Sequence, residues 1–211
     1  MNFKFLTGLV VVFYCLLFIS LGQKDFNSTV LAQESTRQES DLTNLSKQEK
    51  AGLKQGKVVL KGEKGNYLGQ VLTTGNINTA WEVLTDYDNF DRFLPNVASS
   101  KIISEQGNRL VFEQINVVDL WLFKQEFRVQ LEAIKTKPTK VDFKIVDGDL
   151  KKLIGRWQLE EVSPGKILVS HAVTVEPGSD TEKPFFYGVY ESSLEDTLKA
   201  IAFEINKRSK S

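Results

Sequence analysis

Apolar residues follow three successive patterns along the chain. Residues 5–21 form an apolar run that contains no charged side chain. Beyond about residue 57, apolar and polar positions alternate in several segments, which is typical of β-strands with one buried face. Other segments place apolar residues three and four positions apart, as α-helices do. These patterns predict an apolar leader followed by a domain that mixes strands and helices.

The alternating segments predict an antiparallel sheet. In the stretch 121–132, one side carries apolar residues and Gln125, while the other side is polar apart from Leu122. A strand with one wet and one dry face is typical of antiparallel sheets. The same alternation, punctuated by turns rich in Gly, Pro and Asn, predicts further strands at 58–60, 67–72, 101–104, 109–115, 140–146, 153–161 and 166–175.

Helical spacing appears after the first strand pair and again at the C-terminus. Asn76 or Asn78 caps a short helix, and a second helical turn stops at Pro95. A long helix begins at Pro184, with apolar residues at 186, 190, 194, 198, 201 and 205. Only this helix is long enough to cover the dry face of the sheet. The predicted fold is therefore α+β: a curved antiparallel sheet of about seven strands wrapped around the C-terminal helix, with two short helices after the first strand pair.

The N-terminal apolar run is typical of a secretory signal peptide. Lys4 precedes it, and the small residues Val30 and Ala32 suit a cleavage site after Ala32. The intervening stretch is long and contains Lys24 and Asp25, so an uncleaved membrane anchor is the alternative. We expect export across a membrane, to a periplasm, a lumen or the outside of the cell.

The predicted organisation has three parts. Residues 1–32 are the signal peptide or anchor, residues 33–50 are a flexible polar leader, and residues 51–211 are the folded domain. The leader lacks aromatic residues and is expected to end in a short helix from Leu45.

Composition excludes several classes of function. The 211 residues include 27 basic and 27 acidic side chains, so the positive charge of a nucleic-acid-binding protein is missing and no nucleic-acid partner is expected. One Cys and one His cannot form a disulfide framework or a metal site with several Cys or His ligands. We expect no metal and no cofactor. Cys15 lies in the apolar leader and is interpreted as an ordinary apolar residue.

One acidic motif superficially suggests a calcium loop. Asp86, Asp88 and Asp91 have suitable spacing, but the glycine required at the sixth loop position is replaced by Asp91, and the twelfth position is Val97 rather than Glu. Capping of the second short helix is the better interpretation.

The chain resembles the START-like (SRPBCC) superfamily of helix-grip proteins over roughly residues 45–207. The segments that carry the resemblance are 80–88 with 93–95, 148–150 with 155–157, and 194–198 in the long helix. Within that superfamily, the chain most resembles the polyketide cyclase/dehydrase and coenzyme-Q-binding START-like family. This resemblance implies a deep apolar cavity between the sheet and the long helix.

Inward-facing residues could line that cavity or simply fill a core. The two glutamines among them would bond to each other, to the main chain or to the polar head of a ligand. The candidate lining residues are Phe112, Gln114, Trp121, Phe123, Gln125, Phe127, Phe143, Trp157, Leu159, His171, Phe186 and Tyr190.

His171 is the most chemically distinctive of these candidates. It shares its side of a predicted strand with valines, and no motif supplies partners for a catalytic relay, so a packed or ligand-contacting role is favoured over that of a general base. The favoured function is a binding or carrier protein for a hydrophobic small molecule, such as a lipid, isoprenoid quinone or pigment.

The alternative function is a cyclase or dehydratase for an aromatic polyketide-like substrate, with His171 and Tyr190 as catalytic residues. A protein-interaction module with a collapsed cavity is a third reading, disfavoured by the predicted export. Lys135, Lys137 and Lys140 cluster at a predicted turn. They form either a solvated loop or a weak, transient contact with anionic lipid head groups of a membrane.

Overall fold

A computed structural model describes residues 45–119, 124–179 and 183–210. The predicted signal segment, nearly all of the predicted leader, and the candidates Trp121 and Phe123 lie outside the described residues. Residues Ser46–Ser211 group into one compact unit.

The described residues form an antiparallel sheet, three α-helices and one 3₁₀ helix. The predicted α+β fold is confirmed, including the two short helices after the first strand pair and the long C-terminal helix; the sheet has eight strands rather than seven. In chain order the elements are α1 (Lys47–Lys54), β1 (Val59–Glu63), β2 (Asn66–Thr74), α2 (Ile77–Leu84), the 3₁₀ helix (Tyr87–Arg92), β3 (Val97–Gln106), β4 (Arg109–Asp119), β5 (Lys124–Thr136), β6 (Lys140–Gly148), β7 (Leu150–Ser163), β8 (Lys166–Pro177) and α3 (Lys183–Arg208).

The sheet order is β1-β2-β8-β7-β6-β5-β4-β3, with every neighbouring pair antiparallel. Register shifts interrupt three of the strand pairings, including one between Gln130 and Leu131 in the middle of β5 and one at the start of β7. Because a bulge bends its strand and increases the local twist, these shifts help to curve the sheet. The curvature leaves a concave face that α3 covers.

The C-terminal half of α3 packs tightly on the concave face. Leu194, Leu198, Ile201 and Ile205 are all buried, as their spacing predicts. The contact with β2 depends on Gly69, since a Cβ at this position would lie only 2.3 Å from Cδ1 of Leu198. The absence of a side chain at Gly69 therefore lets the helix approach the sheet at this point.

An ion-pair network fixes the C-terminal end of α3. Arg208 contacts the buried Glu204 at 2.8 Å and Asp86 at 2.9 Å, and its guanidinium lies 5.3 Å from the centre of the Phe93 ring. Burial raises the pKa of Glu204, but the hydrogen bonds from Arg208 and Lys207 outweigh it and hold that pKa below its usual value. The helix end is thus attached to the segment that carries the 3₁₀ helix.

The acidic residues around the 3₁₀ helix have structural roles. Asp86 occupies the N-cap position but makes no side-chain bond to the helix backbone; it accepts from the Asn89 amide and pairs with Arg208. The Asp88 carboxylate accepts a hydrogen bond from the Ile102 backbone N–H. The predicted capping is therefore corrected to cross-links between elements. Among the described residues, no group of three His, Cys, Asp or Glu side chains could hold a metal ion.

Helix α1 packs beside the first two strands. Ser46 and Glu49 form a reciprocal capping box at its start, Leu53 is buried, and Glu49 pairs with Lys61 of β1 at 3.1 Å. This helix was expected from the end of the polar leader, and it crosses residue 50, where the sequence suggested that the domain begins. None of the helices within the described ranges is long and apolar enough to cross a membrane.

Candidate ligand cavity

Two adjoining chambers lie between α3 and the sheet, although the N-terminal half of the helix contacts β2 through the stacked rings of Tyr190 and Tyr67. The outer chamber has a volume of about 710 Å³ and is bordered by α3, β4, β5 and the start of β7. The inner chamber has a volume of about 150 Å³ and extends towards the 3₁₀ helix and β6. The outer volume is within the usual range for small-molecule sites.

Aromatic side chains form most of the wall of the inner chamber. Tyr87 from the 3₁₀ helix packs against Phe112 of β4 in a tilted arrangement, with ring centres 4.5 Å apart. Phe90 packs edge-on against both of these rings. Phe143 of β6 and Trp157 of β7 complete the aromatic wall. Burial raises the pKa of Tyr87 far above its ordinary value, so its hydroxyl keeps its proton.

His171 lies at the boundary between the two chambers. It is 5% exposed, and the rings of Trp157 and Phe143 stack on its imidazole at centre-to-centre distances of 3.7 and 5.5 Å. Burial lowers the pKa of His171 to about 3, and a hydrogen bond with the Arg156 main chain opposes this only in part. The imidazole is therefore neutral at physiological pH.

Gly155 makes this aromatic stack sterically possible. A Cβ at residue 155 would lie 2.7 Å from Cζ of Phe143 and 2.3 Å from the carbonyl oxygen of Ala172. Both distances are shorter than a van der Waals contact. A side chain here would displace Phe143 from its position beside His171.

Four polar side chains lie where the two chambers adjoin. Gln114 and Asn116 of β4 and Ser193 and Thr197 of α3 each border both chambers, and we call these four residues the polar girdle. Ser193 accepts a hydrogen bond of 3.3 Å from Asn96. Within the described part of the chain, the side chains of Gln114, Asn116 and Thr197 have no hydrogen-bond partner, so they are available to a bound molecule.

The outer chamber has an aromatic wall and an open rim. Phe127 of β5 meets Phe186 of α3 at 6.4 Å, and Phe186 stacks on Tyr190 at 5.7 Å. Tyr190 borders both chambers, and burial raises its pKa well above the ordinary value. Phe185, at the rim, is 58% exposed.

The structure brings most of the predicted candidates together, but it places Leu159 outside both chambers and Gln125 at the exposed rim. Leu159 is 2% exposed and lies outside both lining sets, so it belongs to the core. Gln125 is exposed at the outer rim, where its amide donates to the carbonyl of Glu126. Its partner in the ladder is Val118, whereas Gln114 pairs with Val129, so the two glutamines do not bond each other. The candidates that border a chamber are Phe112, Gln114, Gln125, Phe127, Phe143, Trp157, His171, Phe186 and Tyr190.

Sequence reasoning missed three members of the polar girdle. Asn116 shares the side of β4 that carries Gln114, and this alternation was a usable signal. Ser193 and Thr197 follow Tyr190 at three and seven positions along α3, which places them on one face of the helix. Because Ser193 and Thr197 are polar, the apolar spacing of the helix did not indicate that they face the cavity.

Comparisons with known proteins identify the family. The profile described as polyketide cyclase / dehydrase and lipid transport matches residues 76–202. The chain belongs to this family, within the START-like superfamily, as its segments suggested. No curated protein sequence matches the chain.

Solved structures show the same fold at low sequence identity. A STAR-related lipid transfer protein from Xanthomonas axonopodis matches with a TM-score of 0.59 and 16% identity, covering 70% of this chain and 92% of that one. The Zhui aromatase/cyclase from Streptomyces sp. R1128 matches with a TM-score of 0.57 and 14% identity, covering 68% of this chain and 94% of that one. The ginseng major latex-like protein 151 from Panax ginseng matches with a TM-score of 0.53 and 14% identity, covering 71% of this chain and 100% of that one. At these identities the likeness establishes the fold alone.

Proposed function

We propose that this protein is an exported binding or carrier protein for a hydrophobic small molecule, such as a lipid, an isoprenoid quinone or a pigment. The observation that carries the proposal is the pair of adjoining chambers, of about 710 and 150 Å³, between the sheet and α3. Their walls are largely aromatic and aliphatic, and the polar girdle supplies a few hydrogen-bonding groups. This combination is typical of small-molecule sites.

Burial of an apolar ligand supplies the driving force without any reactive group. At roughly 25 cal/mol per Å², removing about 300 Å² of apolar surface from water contributes about 7 kcal/mol before the cost of association is subtracted. Micromolar binding needs about 8 kcal/mol after an association cost of at least about 4 kcal/mol, so the ligand must bury roughly 500 Å² of apolar surface or add polar contacts.

A cyclase or dehydratase acting on an aromatic polyketide-like substrate is the second candidate. It is favoured by the position of His171 and Tyr190 beside both chambers, and a structural neighbour is named an aromatase/cyclase. The pKa values work against it. A histidine with a pKa of about 3 is a weak base, and the raised pKa of Tyr190 makes its hydroxyl a weak acid.

Transient membrane contact is part of the proposed carrier function and involves the rim of the outer chamber. The exposed Phe185 lies at this rim. The lysine cluster lies at the opposite end of β5, roughly 40 Å along the strand from Lys124, and two of its members pair with Glu105 and Asp142. Contact through the rim would bring a membrane lipid directly to the opening.

The test is native mass spectrometry of the full chain purified from its own host, combined with an intact-mass measurement. We expect a co-purifying apolar molecule, and a polypeptide mass that corresponds to cleavage after Ala32. Protein that carries no apolar molecule and turns over an aromatic substrate would instead establish the enzyme. A mass that retains residues 1–32 would establish the anchored form.

A matched pair of substitutions on α3 locates the bound molecule. Thr197→Trp fills the boundary between the chambers, whereas Phe203→Trp changes a side chain that is 69% exposed and lies outside both lining sets. We expect the first variant to lose the co-purifying molecule and the second to retain it, with thermal unfolding showing that both are folded. Retention by both variants would contradict binding in this cavity.

A further inference from the structure

The polar girdle brings together uncharged hydrogen-bonding side chains from a strand and a helix. Gln114 and Asn116 occupy alternate positions of β4, on the side that also carries the buried Phe112. Ser193 and Thr197 lie about one turn apart on α3, on the helix face that borders the chambers. The two pairs therefore meet the same space from the sheet and from the helix.

These side chains have unused hydrogen-bonding capacity. Ser193 accepts a hydrogen bond of 3.3 Å from the Asn96 amide, which leaves its own proton to donate. The side chains of Gln114, Asn116 and Thr197 are half-buried, and none of them has a partner among the described residues. An apolar molecule lying across them would remove their water and return no hydrogen bond, which costs about 1–3 kcal/mol for each group. A polar part of the bound molecule therefore belongs here.

The chemistry of the girdle specifies which polar part fits. A carboxamide offers both N–H donors and a carbonyl acceptor, and a hydroxyl group both donates and accepts. The carbonyl oxygens of Gln114 and Asn116 require donors, which quinone carbonyls, ethers and esters lack. Hydroxyl groups on the ligand satisfy donors and acceptors alike. Hydroxyl groups on adjacent carbon atoms, as in glycerol or a sugar, therefore match this set of neighbouring side chains.

The charges around the chambers disfavour an anionic head group. Within the described part of the chain, no Lys or Arg residue borders either chamber. The charged residues that do border the outer chamber are Glu126 and Asp149, which are exposed and acidic. Arg128, a neighbouring cation on β5, pairs with Glu113 and Asp147. A phosphate or carboxylate drawn into the chambers would lose its hydration without gaining a cation.

We propose that the polar girdle is the head-group subsite of this cavity and that it takes an uncharged, hydroxyl-rich head group, such as the glycerol or sugar of a neutral lipid. The apolar chain of the molecule lies against Phe127, Leu153 and Phe186 in the outer chamber. This inference rests on the proposed binding function and adds the charge and the chemical class of the head group. It predicts a preference for uncharged polyol lipids over fatty-acid anions and over lipids without hydroxyl groups.

The experiment uses four probes that share a dodecanoyl chain. Glycerol monolaurate and glucose monolaurate carry an uncharged polyol head, methyl laurate has no hydroxyl group, and laurate is an anion. Each probe displaces the uncharged fluorophore N-phenylnaphthylamine from the full chain, at concentrations below those at which micelles form. We expect at least one polyol ester to bind about tenfold more tightly than methyl laurate and laurate, because only its head group pairs with the girdle. The tighter of the two esters identifies the head group as glycerol or sugar.

The remaining outcomes separate this inference from the proposed function. Equal affinities for the polyol esters and methyl laurate would overturn the head-group subsite and leave the hydrophobic binding function standing. Laurate binding as tight as that of the polyol esters would overturn the selection for an uncharged head. Failure of all four probes to bind would overturn both proposals.

Two single substitutions locate the head group. Gln114→Met and Thr197→Val remove hydrogen-bonding groups and nearly keep side-chain volume, so each should reduce the preference for the polyol esters several-fold while methyl laurate still binds. Gln158→Met is the matched control, since Gln158 of β7 is also half-buried but lies outside both lining sets. An unchanged preference in the first two variants, or an equal loss in the control, would contradict the assignment. Urea unfolding verifies that all three variants are folded.

Discussion

His171 shows how the surroundings of one side chain determine its chemistry. The sequence placed it among valines on the inward side of a strand, and Val169, Val173 and Val175 are indeed buried. The sequence did not show that Trp157 and Phe143 stack on the imidazole, because those residues come from two other strands. Burial under these rings, rather than a charged partner, sets the protonation state of His171.

This protonation state predicts how stability depends on pH. The folded-state pKa of about 3 lies below the ordinary histidine pKa of 6.5, so between these values the unfolded chain binds a proton that the folded chain does not. The free energy of unfolding therefore decreases as the pH falls below about 7.5, and the loss reaches about 2 kcal/mol at pH 5. Above about pH 7.5 the histidine contribution is constant. Urea unfolding at a series of pH values measures this dependence.

The His171→Phe variant is the control for the pH series. Carboxylates with lowered pKa values, such as Glu113 and Glu204, lose their contribution at lower pH in both proteins. The difference between the two curves from pH 6.5 to 5 consequently reports His171 alone. Parallel curves in this interval would contradict a neutral, buried histidine.

Residue-level prediction succeeded where strand alternation decides which side a residue faces. Phe112, Phe143 and His171 are all buried beside the chambers. Alternation does not specify how far along the strand the covering helix extends. For that reason Gln125 shares a side with Val129 yet lies exposed at the rim, and Leu159 lies in the closed core.

At the scale of elements, the packing of α3 on the sheet depends on a residue without a side chain. Gly69 of β2 lies directly under Leu198 of α3. The helical spacing predicted that Leu198 is buried. It did not predict that the strand residue beneath Leu198 must be a glycine, because that requirement arises only from the packing of the helix on the sheet. This contact holds the helix against β2, while the chambers lie between the helix and strands β4 to β7.

Gly69→Ala is expected to lower the free energy of unfolding by about 1–3 kcal/mol, because its Cβ would overlap the buried Leu198 side chain. Gly188→Ala is the matched control on α3, since an added Cβ there meets nothing within 4 Å and alanine favours helix. It should leave stability unchanged or raise it slightly. Chemical unfolding of both variants measures the difference, and a neutral Gly69→Ala would show that the helix does not need this close approach.

The composition of α3 also shows the limit of periodicity. The buried stripe of Leu194, Leu198, Ile201 and Ile205 was predicted from apolar spacing. Ser193 and Thr197 lie next to that stripe and face the chambers, although polar residues usually mark the solvent side of a helix. Only the gap between helix and sheet makes these positions part of a site.

At the scale of the whole molecule, the compact unit begins close to Ser46. The capping box of Ser46 and Glu49, the buried Leu53 and the Glu49–Lys61 pair all attach α1 to the sheet. The polar leader predicted from composition therefore ends in an element that belongs to the folded domain.

Two truncations test where the domain begins. A chain of residues 46–211 should fold with the stability of the full chain. A chain of residues 57–211 should be less stable by about 2 kcal/mol, because it loses the burial of Leu53 and exposes the surface beneath α1. Thermal and urea unfolding compare the two. Equal stability would show that α1 contributes nothing to the domain.

The sequence by itself determined the order of strands and helices, the buried side of each strand and the family of the fold. These properties depend on local periodicity, and neighbouring residues are enough to specify them. The tertiary structure decided where the two chambers lie beneath α3, that four polar side chains border both of them, and that Trp157 and Phe143 stack on His171. Those properties depend on distances between residues from separate elements, which only the curvature of the sheet and the packing of the helix determine.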